Sequence, residues 1–154
     1  MTPIRTMVVE DLCIAIRTIP EIKFVERTKA RPVDLALVDT PACFIYDALP
    51  EQRSRNGSWM ESTLEIAFVV FVPLTAGDTS TGQADFHETA DILSARIHSA
   101  LLTQIPRTNK AITDIEESTI ERELPNEQYG ELTYTCVVKY RHARGNGFTT
   151  AISC

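Results

Sequence analysis

Three histidines, a run of glutamates and four cysteines are the side chains of this sequence best suited to bind a metal, move a proton or attack a carbonyl. His87 and His98 lie eleven residues apart on one helix face, but three turns hold them roughly 16 Å apart, too far to share an ion. His87 and Asp91 have the i, i+4 spacing of a ligand pair with no third ligand in view, so the pattern indicates a solvated helix face. Glu116, Glu117, Glu121, Glu123, Glu127 and Glu131 could pair as general acid and base. Along a strand, the same residues form a charged outer face that guards a sheet edge against accidental pairing. The serines sit in no GxSxG turn, and neither GxGxxG nor GxxxxGK[ST] occurs. Cys13, Cys43, Cys136 and Cys154 form no CxxC pair, and three of them fall in helix or strand patterns as small hydrophobes, expected to be reduced in a cytosolic setting. The sequence therefore predicts no enzyme, no metal and no cofactor.

The basic residues are distributed more informatively. Arg27, Lys29 and Arg31 fall in a first loop, Arg53 and Arg55 in a polar hairpin loop, and Arg141 and Arg144 after the last strand. The chain carries a net charge of −6, which excludes nucleic-acid binding through bulk positive charge. Basic groups segregated into loops of an acidic protein point instead to contacts with acidic partners, further copies of itself included. Trp59, the single tryptophan, stands where a long strand leaves the hairpin loop, a position suited to anchoring an interface.

These residues must be positioned by the elements around them. At 154 residues with 44% hydrophobic content, the chain fits one domain with a real core. It lacks a signal-peptide pattern, and its longest apolar run, Ile66 to Val72, is too short for a membrane span, so a soluble protein without a membrane partner is expected. Thr2 and Pro3 mark a helix start, with Ile4, Val8, Leu12, Ala15 and Ile19 on one stripe and Pro20 as the stop. Strands are predicted over 22–26, 42–48 and 58–72, the last on the order of 50 Å long at about 3.3 Å per residue. Such a strand must bulge or project as one arm of a hairpin. The polar run PEQRSRNG, Pro50 to Gly57, reads as the preceding loop. A second helix starts near Ser80 to Asp85 and ends at Ile105, burying Phe86, Ala90, Leu93, Ile97 and Leu101. Strands over 111–123 and from the Pro125-Asn126 turn to Tyr140 close the domain. In the last, Leu132, Tyr134, Cys136, Val138 and Tyr140 alternate with Thr133, Thr135, Lys139 and Arg141. The expected fold is α+β, a largely antiparallel five-stranded sheet with two helices on one face, in the order α-β-β-β-α-β-β. Residues 1–140 form the domain, and 141–154 a flexible basic tail whose Phe148 orders against a partner.

This layout resembles that of the tail terminator (tail completion) proteins of tailed bacteriophages over nearly its whole length. The resemblance is carried by the first helix and the segments IKFVER, TPACFIYD, WMESTLEIAFVVFV, ADFHETADILSARIHSALL and YGELTYTCVVKYRHA. It implies a structural protein without catalytic residues, a homohexameric ring that caps the tail tube, docks to the head connector or head-completion protein and lets DNA pass without sequence-specific binding. Such a protein resides in the virion, at the neck, and in the host cytoplasm during assembly. Related neck and head-tail joining proteins share similar elements; a small α+β enzyme and a ligand-binding domain are the alternatives from other classes. Arg53, Arg55, Trp59, Arg141, Arg144 and Phe148 are the expected interface residues.

Overall fold

A computed structural model of the chain describes residues 2–27, 39–47, 49, 51–74, 79–104, 111–124 and 128–147. The elements run α1 (Ile4–Arg17), β1 (Phe24–Arg27), β2 (Ala42–Tyr46), β3 (Glu51–Asn56), β4 (Trp59–Pro73), α2 (Thr79–Ser99) with a π-helical turn (Ala100–Gln104), β5 (Ile112–Glu123) and β6 (Tyr129–Ala143). The fold is α+β, two helices and a six-stranded, mostly antiparallel sheet, rather than the five strands expected.

The extra strand is β3, and it corrects the loop expected over Pro50 to Gly57. Glu51–Asn56 pairs antiparallel with the first half of β4, from Glu51 opposite Leu64 to Asn56 opposite Trp59. A two-residue turn joins them, with Gly57 at φ 64 in its first position, where mirror-image hairpin turns need a left-handed backbone. The long strand is one arm of a hairpin, as one of the two sequence options required. It is not left bare on its other side: β6, also of 15 residues, pairs with it from Trp59–Ala143 to Pro73–Tyr129. The sheet order is β1-β2-β4-β6-β5, with β3 sharing the β2 edge of β4 and β1 alone running parallel to its neighbour.

Both predicted helix stripes are buried, and they lie against one face of the sheet. Val8, Leu12 and Ile16 of α1 and Phe86, Leu93 and Ile97 of α2 join a single core with Leu64, Ile66, Phe68 and Val70 of β4 and Leu132, Tyr134, Cys136 and Val138 of β6. The alternation noted in β6 thus selects its helix-facing side. Within that core Gly130 lies under the Phe86 ring, where an added Cβ would meet ring carbons at 2.3 Å. At the α1 terminus Pro3 takes the cap position in place of the expected Thr2 cap, and the free Ile4 amide donates to the Gly147 carbonyl at 2.9 Å. Thr18 closes the other end by donating its hydroxyl to the Ala15 carbonyl.

The opposite face divides into two parts. Around β1, β2 and the end of β4, Phe24, Phe44 and Phe71 stack with centroids 5.9 and 5.8 Å apart. Along the rest of β4, β6 and β5 it is polar. β5 carries bulges between Ile112 and Asp114 and between Glu117 and Thr119, and β6 is its one sheet neighbour among the described residues. No helix of the described residues is long and apolar enough to cross a membrane.

Candidate interaction surfaces

The hairpin arm β3 is fixed to the domain by an ionic network that hydrophobic patterning does not reveal. Asp47, just past β2, is almost fully buried. It accepts from Arg5 Nη1 at 2.9 Å and from Arg27 Nε and Nη2 at 3.1 and 2.5 Å, while Arg5 Nη2 donates to its backbone carbonyl at 2.6 Å. Burial alone would raise the Asp47 carboxyl; the hydrogen bonds from Arg27 and Arg5 outweigh it and hold the group below its ordinary value. Arg5 Nε also donates to Glu51 Oε2 at 3.3 Å, and the Tyr140 hydroxyl donates to Glu51 Oε1. Burial, reinforced by that bond to a carboxylate, pushes the Tyr140 phenol up to about 12. One network therefore ties α1, β1, the end of β2, β3 and β6 together.

Above this network lies a concavity of about 530 Å³ whose lining includes Arg5, Arg53, Met60, Tyr140, His142 and Arg144. Arg53 faces it from β3 opposite Ser62, and Arg55 lies two residues on, opposite Met60. Both are strand residues, not loop residues as the sequence suggested. Arg144 follows the end of β6, its amide bonded to the Ser58 carbonyl at 3.1 Å. His142 is buried, with Nδ1 3.0 Å from the Ala143 carbonyl. A carbonyl only accepts, so Nδ1 carries the proton and Nε2 is left as an acceptor. The charged side chains that line the concavity are thus the three arginines Arg5, Arg53 and Arg144, of which Arg5 is paired to Asp47 and Glu51.

On the other face of the sheet, Arg141 and Trp59 form a second feature. Arg141 belongs to the strand and not to the tail the sequence predicts, because β6 continues through Ala143 and pairs Arg141 with Glu61. Its guanidinium lies 4.7 Å from the Trp59 ring centroid, and its Nε is 3.4 Å from Glu61 Oε2. The alternation continues because the facing β4 strand is equally long. Beside this stack, Asp114, Glu116, Glu121 and Glu123 of β5 share the open-face parity, together with Glu131, Glu65 and Glu61. Burial and then the facing Glu123 raise the Glu131 carboxyl above its ordinary value. The open face is acidic.

The structure therefore gathers Arg53 and Arg144 on one surface and Trp59 with Arg141 on another, while Phe148 lies outside the described residues. The sequence reading missed Arg5, Glu51 and His142. His142 had a signal, since it continues the inward parity of Tyr134 to Tyr140; Arg5 and Glu51 had none, because their pairing depends on tertiary approach. His98 pairs with Glu117 across to β5. Among the described residues no group of three or more His, Cys, Asp or Glu side chains could hold a metal ion. Cys13, Cys43 and Cys136 are buried free thiols, all raised by burial, Cys136 to about 12, so none is a ready thiolate. Comparison with protein-family models and with curated proteins finds no match to this chain.

Proposed function

We propose that the protein is a structural component of a tailed bacteriophage, a tail terminator that closes the tail tube as a homohexameric ring and joins it to the head connector or head-completion protein. The observation that carries this reading is the sheet built on two co-extensive 15-residue strands, with helices on one face and charged and aromatic side chains on the other. Such a face suits contact between proteins. The segments that carry the family resemblance fall on α1, β1, β2, β4, α2 and β6. On this reading the protein acts in the virion neck and assembles in the host cytoplasm. A related neck or head-tail joining protein is the second reading, favoured by the same face, and differs in which partner the ring seats on.

Native mass and sedimentation, alone and with tail tube protein, test the proposal. A species of six copies that seats on tube ends is expected. Dimers alone under both conditions would sink the ring.

A further inference from the structure

Two surfaces of opposite charge stand at opposite edges of this sheet. Toward the β3 edge, Arg53 lines the concavity on the helix side together with Arg144 from the end of β6, and Arg55 shares the parity of Arg53. Arg53 is 55% exposed and reaches Glu51 only at 4.0 Å. Arg55 and Arg144 have no ion-pair partner among the described residues. At the β5 edge, Asp114, Glu116, Glu121 and Glu123 are exposed and lie on the open face; Asp114 stands opposite Lys139, and none of the four has an ion pair among the described residues. Three strand spacings separate the edges, roughly 14 Å at about 4.8 Å each. The acidic stripe is poorly balanced by itself: Glu123 sits directly opposite Glu131, and like charges facing across a ladder destabilise it. A cationic partner relieves that repulsion.

From this polarity we infer that the Arg53–Arg144 concavity of one copy receives the β5 carboxylate stripe of a second copy, giving a head-to-tail joint. A two-fold dimer through either surface sets arginine against arginine or glutamate against glutamate, whereas the head-to-tail contact sets opposite signs together. Contacts of that kind repeat from copy to copy and close into rings when the rotation permits. The two surfaces also face opposite sides of the sheet, so neighbouring copies lap over one another. Edge-to-edge sheet extension is disfavoured by the two β5 bulges, which interrupt the ladder an added strand needs. The joint supplies contact surfaces for the ring proposed above and rests on that reading for its closure, while the pairing itself stands on the charge arrangement.

Two charge reversals, R53E/R144E and E121K/E123K, provide the test by sedimentation velocity and native mass, with circular dichroism confirming that these surface variants fold. Wild-type chain is expected to associate beyond a dimer and to weaken with salt. Each reversal is expected to weaken association about a hundredfold, since it sets like charges face to face. Mixing the two variants restores opposite signs at both kinds of joint, Arg53 and Arg144 against unchanged carboxylates and the new glutamates against the new lysines, so one-to-one mixtures should co-assemble in alternation where neither variant assembles alone. Wild-type chain that stays monomeric, variants that assemble like wild type, or a mixture that does not co-assemble overturns the joint. Duplex DNA bound by wild type and lost in R53E/R144E also overturns it, by assigning the concavity to phosphate. Rings that ignore tail tube protein while obeying the mixing rule overturn the terminator reading and leave the joint standing.

Discussion

The two faces of the β4–β6 ladder come from the same residues in alternation, yet they do different work. On one, Ile66, Phe68, Val70, Leu132, Tyr134 and Val138 are sealed beneath two helices. On the other, Glu61, Thr63, Glu65, Thr133, Lys139 and Arg141 face away from the helices. Registration is set by the first face, because a slip of one residue would exchange the two sets and expose the core. The second face contributes little to that choice, so its charges are free to be set by what it meets.

The widest separation between the faces should appear on truncation. Phe68→Ala removes a ring stacked edge-on to Tyr134 at 6.4 Å and should cost about 3–5 kcal/mol, whereas Thr63→Ala on the other face should cost less than about 1 kcal/mol in urea unfolding. Equal losses would break the comparison. Asp47→Asn should follow at about 2 kcal/mol, lowered from the fully buried range because Arg5 and Arg27 are 28% and 36% exposed. Its pH dependence has a definite sign. The folded state holds Asp47 below its ordinary 3.8, so the advantage over the Asn variant is complete above that value and fades as pH falls through the lower folded value. A difference that instead grew on acidification would contradict the network.

Gly130→Ala should cost about 1–3 kcal/mol, since its methyl must displace the buried Phe86 ring. Gly147→Ala, where an added Cβ meets nothing within 4 Å, is the control. The smallest effect belongs to the open face. Arg141→Ala should change stability by less than about 1 kcal/mol while shifting the emission of the single tryptophan, as the cation leaves one side of its ring. Unchanged emission would mean that the stack does not persist in solution.

The faces also explain what the sequence could disclose. Periodicity identified both helices and the two long strands because each buries a stripe of apolar side chains, and burial imprints its period on the chain. β3 left no such mark. Glu51, Gln52, Arg53, Ser54 and Arg55 are all polar, and what holds the strand is the β4 backbone edge together with the Glu51 bonds to Arg5 and Tyr140. The fold class was therefore legible and the strand count was not. The candidate interface residues divide in the same way. Arg53, Arg144, Trp59 and Arg141 stand out by charge or rarity, but not their separation onto two faces, which follows from a hairpin whose first strand is polar throughout.

The position of β6 has a consequence for how the chain folds. It is the last strand of the described residues, yet it lies inside the sheet, between β4 and β5. Even the nearest rung of its ladder with β4, Pro73 opposite Tyr129, is separated in sequence by all of α2 and β5. Closing that span costs entropy before any contact returns it, so folding should be slow for a chain of this size. During synthesis β5 emerges before its sheet partner, and the long edge of β4 waits beside it. The acidic residues that make β5 a poor template for strangers also protect it through that interval. Completion of the sheet and the placing of Arg144 beside the concavity then arrive together, because both wait for β6.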